Sequence, residues 1–150
     1  MSDWLLDSNV LVYAYDVHEP EKQARAVEVL DRLQPTRQGR LSTQVLGEFY
    51  RVATGKLPSP LDPPEAAARV ERLARTWHVL SITPQVAVEA ASGAARLQLP
   101  YWDAQLWATA KLNQIPGVLS EDFEDGRVLE GVTFRNPFAP AFALADLGPV

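Results

Sequence analysis

Four acidic residues, Asp7, Glu48, Asp103 and Asp122, stand where a carboxylate can do chemistry. Asp7 closes the short apolar run Trp4-Leu5-Leu6, and Ser8 and Asn9 after it are residue types that start helices. That order reads as strand, acid, helix, and in open α/β sheets ligands bind in the crevice at the carboxyl ends of the strands. Asp122 follows Gly117-Val118-Leu119-Ser120 in the same manner. Glu48 projects from the packing run Val45-Leu46-Gly47-Glu48-Phe49-Tyr50, beside a glycine that leaves room for close approach. Asp103 follows Tyr101 and Trp102 and precedes the apolar Ala104, Leu106, Trp107 and Ala108. Singly, each has an ordinary alternative: a helix cap for Asp7 and Asp103, an exposed helix charge for Glu48. Jointly they carry more, because carboxylates converging in one cleft repel one another unless a cation neutralises them. Convergence would imply Mg²⁺ or Mn²⁺, which favour oxygen ligands.

The rest of the composition is consistent with such a site. The 150 residues contain no cysteine and two histidines, so a metal would be held by oxygen or by His18 and His78. A net charge of -5 argues against a protein that coats nucleic acid generally, but not against acids gathered in one pocket. The length fits one domain, and 47% hydrophobic residues support a single core. No apolar run approaches the ~20 residues of a membrane span, and Met1-Ser2-Asp3 lacks the basic and apolar regions of a signal peptide. A cytoplasmic location is expected.

The elements that must position the acids alternate between short apolar runs and helical stripes. A short buried helix is expected over Asn9 to Tyr15. An amphipathic helix follows Pro20, with Ala24, Val27, Val29, Leu30 and Leu33 inward, ended by Gln34-Pro35-Thr36. Arg40-Leu41 is short enough for an edge strand and leads to a cap at Ser42 or Thr43 and a helix carrying Glu48. After the proline-rich loop between Lys56 and Glu65, a helix from Pro64 to Trp77 turns Ala67, Val70, Leu73, Ala74 and Trp77 inward. Val79-Leu80 with Ile82 is a strand; a helix after Pro84 and another from Leu99 to about Asn113 follow. Strands at Gly117 to Ser120 and Val132 to Phe134 complete the order. This alternation predicts a parallel α/β sheet flanked by helices, with right-handed crossovers bringing the ends that carry Asp7 and Asp122 to one edge.

At this point the chain resembles the PIN-domain proteins, and among them the bacterial VapC-type toxin ribonucleases. The likeness rests on Leu6-Asp7-Ser8-Asn9-Val10-Leu11, Ser42-Thr43-Gln44-Val45-Leu46-Gly47-Glu48-Phe49-Tyr50, Tyr101-Trp102-Asp103-Ala104, Leu119-Ser120-Glu121-Asp122-Phe123-Glu124-Asp125-Gly126 and Gly131-Val132-Thr133-Phe134-Arg135-Asn136-Pro137-Phe138, in the family's order. Each motif is weak alone; the ordered set is specific.

The resemblance implies a three-layer, Rossmann-like PIN fold over residues 1–138, with 139–150 a tail of the same domain or a dimer contact. It implies an endoribonuclease whose acidic site is Asp7, Glu48, Asp103 and Asp122. Asp7, Asp103 and Asp122 would hold one or two Mg²⁺ or Mn²⁺ ions, and the products would be a 5′-phosphate and a 3′-hydroxyl. Asp125 would be a peripheral member, with Glu121 and Glu124 facing solvent. Ser8 and Ser120 could bind water, metal or phosphate, or cap, and Asn9 could orient a carboxylate. Arg37, Arg40, Arg51, Lys56 and Arg127 are rim candidates for RNA phosphates, against a default of solvated surface charge. Trp4, Trp77 and Trp107 belong to the core or an interface, and Trp102 is the candidate for base stacking. A homodimer and an antitoxin covering the cleft with a basic side chain are the implied partners. Two alternatives remain: a PIN-fold binding module without turnover, and a haloacid-dehalogenase-type phosphatase, against which Asn9 speaks by occupying the place of that site's second Asp.

Overall fold

The computed structural model describes residues 3–149; Met1, Ser2 and Val150, on which the amino-terminal and tail readings partly fall, lie outside the described residues. Six strands form one sheet in the order β3-β2-β1-β4-β6-β5. They are β1 (Trp4–Leu6), β2 (Gly39–Ser42), β3 (His78–Leu80), β4 (Gly117–Leu119), β5 (Val128–Leu129) and β6 (Val132–Arg135). All neighbours are parallel except β5 and β6. The helices are α1 (Ser8–Tyr13), α2 (Pro20–Thr36), α3 (Thr43–Gly55), α4 (Pro63–Thr76), α5 (Pro84–Leu97) and α6 (Tyr101–Leu112), and they flank the sheet in a three-layer α/β arrangement. Among the described residues no helix is long and apolar enough to cross a membrane.

The chain runs outward from β1 through β2 to β3, then returns to lay β4 on the other side of β1. The strand order therefore reverses between β1 and β4, and their carboxyl ends open the crevice that this fold class uses for ligands. Register is fixed by size: Trp4 is paired with Gly117, where an added Cβ would stand 2.5 Å from the indole ring. The Trp4 Nε1–H also donates to the Leu147 carbonyl at 3.1 Å. The tail is thereby tied to the first strand, and Phe142 and Leu147 are buried in the same core as Leu5, Leu6, Val118 and Phe134.

Helix α2 does end over Gln34-Pro35-Thr36, with Pro35 inside its last turn and Arg37 closing it in the left-handed conformation. Several local expectations are corrected. The buried stripe of α2 is Ala26, Val29 and Leu33, leaving Ala24 and Val27 exposed. In α4, which packs on α3, Val70, Leu73 and Trp77 turn inward as expected, but the buried alanine is Ala66, and Ala67 and Ala74 face solvent. Strand β2 is no edge strand, since β3 covers it. Strand β5 was not anticipated: Glu130 and Gly131, both at positive φ, make a two-residue turn into β6 without the usual Asn-Gly or Asp-Gly signal.

Candidate active site

Asp7 emerges from β1 with its backbone N–H bonded to the Leu119 carbonyl at 2.9 Å, so the ends of β1 and β4 are stitched together at the acid. It is 7% exposed and caps α1, accepting from the Ser8 N–H at 2.7 Å. The cap reading holds for Oδ1, and it leaves Oδ2 to face the neighbouring strand end. The buried Ser120 hydroxyl donates to the other oxygen, Oδ2, at 2.7 Å, and the Asp122 N–H donates to Ser120 Oγ at 3.1 Å. Ser120 is therefore committed to positioning Asp7 and the turn of Asp122 rather than free for a ligand. The Asn9 amide lies 3.4 Å from Asp7 Oδ2, from Ser120 Oγ and from Asp122 Oδ2, and so orients two carboxylates. Its own Oδ1 is buried without a partner.

Glu48 comes from α3, whose cap is the Ser42 hydroxyl on the Val45 N–H. One face of that helix, Val45, Phe49 and Ala53, is buried. Gln44, Gly47, Glu48 and Arg51 line an open cleft of about 590 Å³ on its other side, together with Thr43, Ile82, Trp102 and Gln105. Asp103 sits in the first turn of α6, whose remaining residues Ala104 to Ala110 are all buried.

Electrostatics join the four acids into a closed circuit. Burial pushes Asp7 up to about 7, opposed by the Ser120 and Ser8 hydrogen bonds and reinforced by the charges of Asp122 and Glu48. Burial also raises Glu48, with Gln44 and Arg51 pulling down and Asp103 pushing up. Asp103 is raised by burial and then by Asp122; Asp122 by burial and then by Glu121, with Asn9 easing it. The four acids thus act on one another in a ring, and Arg51 is the cation that opposes them, at Glu48. Among the described residues, no three His, Cys, Asp or Glu side chains stand close enough to hold one ion as they are. An ion keeping several of its waters and bound through one or two carboxylates, as Mg²⁺ is, fits this all-oxygen donor set.

Other expected positions fall elsewhere. Asp125 is taken by Arg135 at 2.8 Å and by the Asn136 N–H at 2.9 Å, which hold its carboxyl below the usual range, so it is not brought to the other acids. Glu121 does not face solvent: Tyr13 donates to it at 2.8 Å and Lys22 at 3.0 Å, and this clasp pins the loop that carries Asp122. Glu124 is exposed, as are His18 and His78. Arg37 and Arg40 precede or begin β2, at the amino-terminal edge of the parallel strands, and Arg40 pairs with Asp3; neither reaches the acidic edge. Arg51 does, through the cleft, whereas Lys56 caps the far end of α3 and Arg127 is exposed ahead of β5. Gln44 and Gln105 were overlooked by sequence reasoning. The available signal was Gln105 itself, an amide inside the apolar run of α6.

Comparison with known proteins agrees with this geometry. The structure is similar to a toxin-antitoxin complex from Klebsiella pneumoniae, with a TM-score of 0.66 and 18% identity, covering 90% of this chain and 98% of that one. It is similar to the DNA-bound VapBC from Salmonella typhimurium, with a TM-score of 0.63 and 18% identity, over 91% and 99% of the two chains. VapC20 from Mycobacterium tuberculosis, a Sarcin-Ricin loop cleaving toxin, gives a TM-score of 0.61 and 17% identity over 80% and 92%. No curated protein matches by sequence. At these identities the solved structures speak for a shared fold. The family model that matches residues 4–126 is that of the PIN domain, and with Asp7, Glu48, Asp103 and Asp122 all inside that span, the chain belongs to the PIN domain family.

Proposed function

We propose that this protein is an endoribonuclease that hydrolyses RNA phosphodiester bonds at Asp7, Glu48, Asp103 and Asp122 with one or two Mg²⁺ or Mn²⁺ ions. The observation that carries the reading is the circuit of four mutually repelling carboxylates at the point where the strand order reverses, the first of them buried and pushed up to about 7. Asp7, Asp103 and Asp122 would hold the ions. When bound, such an ion lowers the pKa of a water and neutralises charge on the phosphate. The chain's own residues would position that ion and the substrate: Ser120 and Asn9 fix the Asp7 carboxylate, and Glu48 lines the cleft that would receive the RNA. Arg51, which lines the cleft beside Glu48, is assigned to an RNA phosphate.

We further infer a VapC-type toxin role, cytoplasmic, homodimeric and held in check by a protein antitoxin whose basic side chain enters the acidic cleft. The toxin-antitoxin complexes among the similar structures support it. Residues 139–149 are assigned to the same domain as the PIN fold, because Leu147 and Phe142 share its core.

The test is cleavage of end-labelled RNA by purified protein with Mg²⁺ or Mn²⁺. EDTA is expected to stop it and Asp7→Asn or Asp103→Asn to abolish it. Unchanged cleavage by both variants would overturn the assignment.

A further inference from the structure

Of the four tryptophans, Trp4 and Trp107 are buried and spend their indole N–H groups on the carbonyls of Leu147 and Leu129. Trp77 is half-buried against Gly39. Trp102 is different: it is 63% exposed, and its indole N–H has no partner among the described residues. An apolar ring of that size standing in water has a cost that packing does not explain.

Its surroundings are built rather than loose. The ring meets Tyr101 edge-on at 5.0 Å, and the Trp102 carbonyl accepts from Gln44 Nε2 at 3.1 Å. Gln44 Oε1 accepts from the buried Gln105 at 3.0 Å, whose Oε1 in turn accepts from the Tyr101 hydroxyl at 2.9 Å. This amide relay locks the start of α6 to α3. It fixes the wall on which Trp102 stands and, one residue further, the backbone of Asp103.

The cleft below the indole is lined by an aliphatic side chain, Ile82, by both amides and by Arg51. Arg51 makes no ion pair within 4 Å among the described residues. At Gly47 an added Cβ would meet nothing within 4 Å, so the cleft is open there for lack of a side chain. Glu48 lines the same cleft and belongs to the four acids, so the two are continuous. A flat ring, amides for hydrogen-bonding edges, and one unpaired cation next to a phosphodiester site match a single nucleotide. A flat, wholly apolar patch would instead match a second copy of the chain.

We propose that Trp102 stacks on an unpaired nucleobase of single-stranded RNA next to the scissile phosphate, with Arg51 taking a flanking phosphate; this rests on the nuclease reading above. Trp102 is then a substrate-binding and specificity-determining residue rather than part of the hydrolytic machinery.

The probes are single-stranded RNA hexamers and a hexamer of the same backbone carrying abasic sites, kept intact by withholding the metal. Binding is followed by tryptophan fluorescence, or by anisotropy of a labelled hexamer, in EDTA. Wild type is expected to hold the hexamer with bases at least about fivefold tighter than the abasic one. Trp102→Ala should erase that difference, raising KM for RNA with kcat unchanged, while Trp102→Phe retains most of it. An unchanged thermal midpoint, expected for so exposed a side chain, separates this from misfolding. Equal preference for bases in wild type and Trp102→Ala overturns the slot while leaving the nuclease intact. So does finding that Trp102→Ala dissociates a dimer without changing hexamer affinity. Absence of metal-dependent cleavage by wild type overturns the nuclease reading instead, and hexamer binding then shows whether the slot survives it.

Discussion

Replacing Asp7 by asparagine should stabilise the metal-free protein at alkaline pH while destroying its proposed activity. Asp7 is raised from 3.8 to about 7, chiefly by burial. The folded state therefore binds a proton that the unfolded state has released, and stability falls as pH rises from about 4 to about 7. Above that range the full cost of holding the buried charge is present, about 4 kcal/mol by the usual conversion. Asparagine removes this charge and caps a helix as well as aspartate does. It places an Nδ2–H₂ donor where Oδ2 accepts from the Ser120 hydroxyl, and this mismatch costs roughly 1–3 kcal/mol. The expected net gain is about 1–3 kcal/mol at pH 8, shrinking by about 2–3 kcal/mol at pH 5, where wild-type Asp7 carries its proton. Urea unfolding of both proteins in EDTA at the two pH values measures it. Saturating Mn²⁺ should then stabilise wild type and not the variant. A variant less stable than wild type at pH 8, or a difference that does not change with pH, refutes the reasoning.

Ser120→Ala removes the side-chain hydroxyl that donates to Asp7 Oδ2 at 2.7 Å while leaving every acid in place. The apparent Mn²⁺ affinity or the rate of RNA cleavage is expected to fall about 10- to 100-fold, as for other groups that orient ligands, and an unchanged Mn²⁺ titration would contradict this. Leu147→Ala opens a cavity under the tail where it meets β1, and should cost about 2–5 kcal/mol in urea unfolding. A loss below about 0.5 kcal/mol would show that the tail does not belong to the cooperative core.

How much of this was legible beforehand follows from the range of the forces involved. Asp7 and Ser42 were readable because a strand end and a cap are set by neighbours within four residues. The sheet's direction followed from alternating elements, and the PIN family from the order of the motifs that carry Asp7, Glu48, Asp103 and Asp122. In α2 and α4 the large apolar residues Val29, Leu33, Val70, Leu73 and Trp77 were readable, but which alanine is covered was not: both helices carry alanines on two faces, and only the element packed against each decides between them. Arg37 and Arg40 looked like a rim because they lie near a loop; only the parallel pairing of β1 and β2 shows that this loop is at the opposite edge. Glu121, Asp122 and Asp125 share one acidic loop, and residue type alone did not show which of them a base would take. Tyr13, Lys22 and Arg135, distant in sequence, take two of the three and leave Asp122 facing Asn9 and Asp103. The sequence by itself determined which side chains could hold a cation, because ionisation belongs to residue type. Which of them meet, and which are neutralised by a base first, depended on contacts across a hundred residues, and those exist only once β4 lies beside β1.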